Sequence, residues 1–191
     1  MPRSGADARR RLQQAALDLY RERGFDQTTA ADIAQRAGVN ARTFFRHFPD
    51  KREVLFDGEA DLRAALAQYV REAPDGSTPA EVLLHAFRKA AHILEDNRAF
   101  AEPRLALIAE TPTLRERDLA KGAAMAASVA EGLRGRGVDD RLADLAAHTG
   151  WAAFHHAAQN WIDDPAPGLQ AHLVRAFAEV NALFGAVTPP S

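Results

Sequence analysis

Apolar residues recur along this chain at steps of three and four. Leu12, Ala15, Ala16, Leu19 and Tyr20 share one face of a helix over about residues 7–23, and Gly24 stops it. Thr29-Ala30-Ala31-Asp32 opens a second helix with a capping-box pattern, in which the hydroxyl and the acid three residues later satisfy free backbone N–H groups. That helix ends at Gly38. Asn40 caps a third, which Pro49 closes. Asp50-Lys51-Arg52-Glu53 caps a fourth, running to about Glu72 through Val54, Leu55, Leu62, Leu66 and Tyr69. Pro74-Asp75-Gly76-Ser77 is the clearest linker. Helices are then predicted over 79–96, 98–110, 112–134, 139–162 and 167–186, and 188–191 reads as a frayed end. No run alternates with period two for long enough to be a strand. The pattern predicts an all-α chain of about nine helices.

Within it, residues 29–48 carry the most specific signal. Ile33, Ala34 and Ala37 line one face of a short helix, and the small Ala34 lets another helix cross closely. Gly38 permits the left-handed backbone of a sharp turn, and Val39 plugs the corner. Phe44 and Phe48 give the next helix its apolar side. Arg42, Thr43, Phe45, Arg46 and His47 remain for its outer surface. A short helix packed on one side, with basic, hydroxyl and aromatic groups on the other, is suited to the DNA major groove. The helix starts at Thr29 and Lys51 are expected to seat phosphates, through free N–H groups helped by a hydroxyl and a charge.

Charge sharpens this expectation. The net charge of −2 divides unevenly. Residues 1–52 hold 11 Lys and Arg against 6 Asp and Glu, a net +5, and the remainder holds 13 against 20, a net −7. A basic head on an acidic body suits a polyanion at one end. The chain has no Cys, which removes disulfides and thiolate chemistry. No apolar run approaches the roughly 20 residues of a membrane span, and no signal peptide is evident, so a cytoplasmic protein without a membrane partner is expected.

Several blocks together resemble the N-terminal domain of the TetR family of regulators: Gly24-Phe25-Asp26-Gln27-Thr28-Thr29, Asp32-Ile33-Ala34, Ala37-Gly38-Val39, Thr43-Phe44-Phe45 and His47-Phe48-Pro49-Asp50-Lys51. The resemblance covers about residues 9–58. It implies a helix-turn-helix head over 6–66, including the start of the connecting helix. It also implies a ligand-binding and dimerisation body over 67–191. By position, Thr29 and Lys51 would hold phosphates, and Arg42, Thr43, Phe45 and His47 would lie at the groove, with Asn40 as the cap and Arg46 beside them. Arg42 stands where the family often has Gly, and Phe45 where it usually has Tyr. The implied function is a repressor that binds a palindromic double-stranded operator as a homodimer and is released by a small effector.

The body offers less. Trp151, Phe154 and Trp161 join Leu142 and Leu145 on the 139–162 helix, and Leu173, Phe177, Val180 and Phe184 line the last one. These helices are apolar on more than one face, as a dimer interface requires. Phe87, His92, Phe100, Arg104, Ile108, Met125, Trp151 and His155 are the candidate ligand contacts. Their apolar character suggests an apolar, fatty-acyl-like effector. Arg104, Arg115 or Arg117 would meet an acidic end of it. The helix over Lys51–Glu72, joining head to body, is the expected lever. His92 and Asp96 are the one tidy metal pair, too little for a site, and no cofactor is expected. No nucleophile–base pattern or glycine-rich phosphate loop suggests an enzyme.

Overall fold

The computed structural model describes residues 3–184, with side chains from 5 to 183. The predicted frayed end at 188–191 and the Phe184 side chain lie outside it. The described residues form nine α-helices and no strand. In chain order these are α1 (Arg3–Arg23), α2 (Ala30–Arg36), α3 (Ala41–His47), α4 (Glu59–Glu72), α5 (Pro79–Glu95), α6 (Arg98–Glu110), α7 (Pro112–Gly135), α8 (Asp140–Asp163) and α9 (Leu169–Phe184). They gather into two compact units: residues 3–59 with 99–118, and residues 60–98 with 119–184.

The first unit is built on α1, α2 and α3. Leu12, Tyr20, Ile33, Phe44, Phe48 and Leu55 form its buried centre. Leu107, Ile108 and Leu114 join the same cluster. Because those three side chains bury with the N-terminal core, residues 99–118 belong to this unit. A division of the linear sequence at 66/67 does not coincide with the compact units.

The predicted fourth helix is not continuous. Asp50 accepts the N–H groups of Arg52 and Glu53 on one carboxylate oxygen, at 2.7 and 3.2 Å. This cap starts only a 3-10 turn, Glu53–Phe56. Gly58 then has φ +87°, a left-handed backbone no α-helix continues through, and α4 begins at Glu59. The expected lever over Lys51–Glu72 is therefore a turn, a break and a helix.

The second unit is packed around α5, α8 and α9. Its caps follow local rules: Thr78 and Glu81 form a capping box on α5, and Asp139 accepts from the N–H groups of Arg141 and Leu142 at the start of α8. Phe87 lies at its centre, with ring centroids 4.9 Å from Phe154 and 6.1 Å from Phe177. Trp151 stacks on Phe154 at 5.1 Å. Three helical glycines let neighbours approach: Gly122 against Trp151, Gly132 against Val70 and Gly150 against Leu83. A Cβ on Gly132 would come within 2.8 Å of a methyl of Val70, which is fully buried and, being β-branched, cannot swing aside. Gly132→Val is accordingly expected to cost about 1–3 kcal/mol by overpacking, read as a lower urea midpoint with unchanged slope.

Candidate nucleic-acid interface

Local chemistry sets the geometry of α2, the turn and α3. Thr29 caps α2: its oxygen accepts from the Asp32 N–H at 3.2 Å, and Asp32 accepts from the Thr29 N–H at 2.9 Å. The Thr29 hydroxyl also donates to Asp32, at 2.6 Å. Gly38 turns the chain at φ +68°, and Asn40 caps α3 by accepting from the Thr43 N–H at 2.8 Å. Phe44 and Phe48 are buried, and Val39 is half-buried against the same core.

The opposite side of α3 is open. Arg42, Phe45 and Arg46 are exposed, and Thr43 and His47 are half-buried beside them. Phe45 is 57% exposed, and its ring meets buried Phe44 edge-on, at 5.3 Å and 83°. Positions 42, 45 and 46 share one helical face. Most head cations have protein partners. Arg9 pairs with Asp57, Arg23 with Asp32, Arg36 with Glu22 and Arg52 with Asp50. Arg42 and Arg46 have no ion pair among the described residues. Periodicity assigned all five residues to the outer face, and the structure brings them together there.

His47 presents less than the sequence suggests. Its Nε2 is enclosed, without a hydrogen-bond partner among the described residues. Burial first, then the charges of Arg46 and Arg9, hold its pKa below the ordinary histidine value. Its ring is therefore biased towards the neutral form.

Lys51 has partners inside the protein that the sequence did not show. Its ammonium donates to the carbonyls of Phe25 and Thr28, at 2.8 and 2.9 Å, and lies 4.2 Å from the Phe25 ring centroid. The Lys51 carbonyl in turn accepts from the Tyr20 hydroxyl at 2.6 Å. Burial, helped by the charge of Asp50, raises the phenol pKa far above its ordinary value, so Tyr20 stays a donor. The free N–H groups expected near Lys51 are taken by Asp50. Lys51 thus ties the loop after α1 to the end of α3, and two of its three N–H groups are spent inside the protein. Lys51→Met is expected to lower head stability by about 1–3 kcal/mol while leaving the salt dependence of DNA binding unchanged. A phosphate-holding lysine would instead reduce that slope by about 1.

Sequence reasoning missed the ties between segments distant in the chain. Asp57 accepts from Arg9 and Gln13 of α1, and Arg9 also lies over the Phe48 ring. Arg104 donates to the Leu55 carbonyl, pairs with Asp118 at 3.4 Å and lies over Phe56. Arg117 pairs with Glu53 at 2.8 Å. No spacing rule links such residues.

The eight candidate ligand contacts divide between the two units. Phe100, Arg104 and Ile108 belong to the first unit, where Ile108 is buried in the head core and Phe100 packs on it. Phe87, Met125, Trp151 and His155 belong to the second. His92 is on the surface of that unit, with Nδ1 2.7 Å from the Lys89 carbonyl oxygen. Arg104 and Arg117 have partners within the first unit, the Leu55 carbonyl and Glu53. A cavity of about 740 Å³ lies elsewhere in the second unit, among Arg71, Ser77, Ser128, Gly132 and Arg136, and none of the eight lines it.

Comparison with known proteins agrees with the head geometry. Residues 12–57 match the family described as bacterial regulatory proteins, tetR family, and residues 77–185 match the MftR C-terminal domain. The HTH-type transcriptional regulator TcmR of Streptomyces glaucescens is 35% identical over 80 residues, 42% of this chain. The match spans 35% of that relative's length. The regulator called MftR of Mycobacterium tuberculosis is 24% identical over 95% of this chain and 96% of its own. Among solved structures, the TetR family repressor FadR of Thermus thermophilus, in complex with lauroyl-CoA, is 27% identical. It covers 96% of this chain and 97% of its own, with a TM-score of 0.57. With a family match across the head and another across more than half of the chain, this protein belongs to the TetR family of bacterial transcriptional regulators.

Proposed function

We propose that this regulator is a repressor that binds a palindromic operator as a homodimer and lets go when a small, largely apolar effector binds. The observation that carries DNA binding is the outer face of α3, where two arginines without ion-pair partners among the described residues flank an exposed phenylalanine. Arg42 and Phe45 would face bases, with Thr43, Arg46 and His47 at the groove edge. Asn40 would offer its side-chain amide to a phosphate, and Thr29 would do so with its hydroxyl on giving up the bond to Asp32. Lys51 would act by holding the head in shape. A gel shift with duplex from the region beside the protein's own gene tests this. Retardation of a palindromic site there is expected, and no binding even at low salt would refute it.

Support for the dimer comes from α8 and α9. Leu142 and Leu145 on α8, and Val174 and Leu183 on α9, are large apolar side chains left in the open. A twofold partner would cover them with the same two helices, and it would present two heads to two half-sites. The double variant Leu145→Glu, Val174→Glu is expected to sediment as a monomer and to lose most operator affinity. A dimer of unchanged strength would move the interface elsewhere.

For the effector, support is chemical. FadR was solved with lauroyl-CoA, and the second unit here is rich in the rings and aliphatic groups that an acyl chain prefers. The effector would act by favouring a head spacing that does not match the operator. A thermal-shift series with lauroyl-CoA and with free laurate tests the class, since a bound ligand raises the melting temperature by mass action.

A further inference from the structure

Building on the DNA-binding reading of α3, we propose that Arg42 and Phe45 read a guanine and a thymine on neighbouring base pairs, Phe45 by touching the thymine 5-methyl group. The two residues are three apart on one helix face, hence about 4.5 Å apart along its axis. That is close to one base-pair step of about 3.4 Å. Arg42 lies in the first turn of α3, the end that a recognition helix presents to base edges. Its guanidinium is exposed and has no ion pair among the described residues, so its fork of donors is available. The fork matches the O6 and N7 acceptors of guanine.

Phe45 has neither donor nor acceptor on its ring. It cannot bond a phosphate or the polar edge of a base. The apolar group that the major groove offers is the thymine methyl. An exposed phenylalanine side chain usually samples several rotamers, and ordering it on binding costs entropy. Here the edge-on contact with buried Phe44 favours one placement of the ring, which lowers that cost. Together the two side chains present a polar fork beside a flat apolar ring, matched to a polar base edge beside a methyl.

The test begins with selection of bound sequences from a random duplex pool by the intact protein. No enrichment at all would overturn the DNA-binding reading and this proposal with it. On an enriched duplex, each thymine is then replaced by uracil, which removes only the methyl, and each guanine by 7-deazaguanine, which removes only N7. One uracil per half-site is expected to weaken the wild-type protein about fourfold, the worth of one buried methyl, and to leave Phe45→Ala unaffected. One 7-deazaguanine at the adjoining pair is expected to weaken the wild type about fivefold or more and to leave Arg42→Ala unaffected. Arg42→Lys keeps the charge but not the fork, and its ammonium can still bond N7, so it should keep the salt slope and only part of the 7-deazaguanine penalty. Enrichment without any uracil penalty, penalties that persist in the alanine variants, or penalties at distant pairs would overturn this proposal alone. Both side chains are exposed, so circular dichroism of the variants should match the wild type.

Discussion

Replacing Arg42 and Arg46 together by alanine is expected to reduce operator affinity by about 100-fold or more. Arg42 at a base edge would contribute about 1–3 kcal/mol in each half-site, Arg46 would add a charge at the groove edge, and every 1.4 kcal/mol is a factor of ten. Fluorescence anisotropy with a labelled operator would measure the loss. The fold should not suffer, because both side chains are exposed and neither holds an ion pair among the described residues. Arg36→Ala is the matched control. That arginine is also exposed and on the head, but it is paired bidentately with Glu22 across α1 and α2, at 2.9 and 2.7 Å. Its loss should cost little stability and little affinity. Equal losses in the two variants would mean that head charge in general, rather than the face of α3, holds DNA.

Phe87→Ala should have the largest effect on stability. Phe87 is fully buried and touches rings from both long C-terminal helices, Phe154 and Trp151 on α8 and Phe177 on α9. Leu83, one turn earlier, is locked against Gly150. Neighbours so tightly fixed cannot collapse into the space left behind. The cost is expected to be about 3–5 kcal/mol, the upper part of the range for core truncation. Natural domains are stable by only about 5–15 kcal/mol, so this one change removes a large share. Urea unfolding followed by tryptophan fluorescence would report it directly, since Trp151 stacks beside the site. A loss under about 1 kcal/mol would show that the cluster is loosely packed. Phe45→Ala, which removes the same ring from an exposed position, should cost far less.

The local parts of this structure were legible because they depend on residues a few positions apart. Asn40 caps α3 through the N–H three residues on, and Gly38 makes the turn because it alone accepts the backbone there at low cost. The outer face of α3 follows from 3.6 residues per turn once Phe44 and Phe48 are placed inside. The break at Gly58 was overlooked because Val54, Leu55 and Leu62 keep a helical spacing across it. A glycine at that point was the available signal. The fate of Lys51 was not legible at all. Its acceptors are carbonyls 23 and 26 residues away, and backbone acceptors leave no mark in a pattern of side chains. For the same reason Arg104, which suited an acidic ligand by its charge, turned out to hold the Leu55 carbonyl. Which residues of the body meet an effector was not legible, because several of its helices are apolar on more than one side, and periodicity does not say which side meets which neighbour.

Lys51, turned inward, also bears on how this protein would find its site. Weak, sequence-blind attachment to a chromosome is driven by small ions set free as lysines and arginines meet phosphates. A head whose lysine has partners inside the protein, and several of whose arginines pair with acids, would set fewer of them free than its net charge suggests. Its stays on random sequence should be short, and its search should proceed by frequent hops through solution rather than by long slides. Wrong addresses would then hold it only briefly, which keeps more of the population free to arrive at the right one.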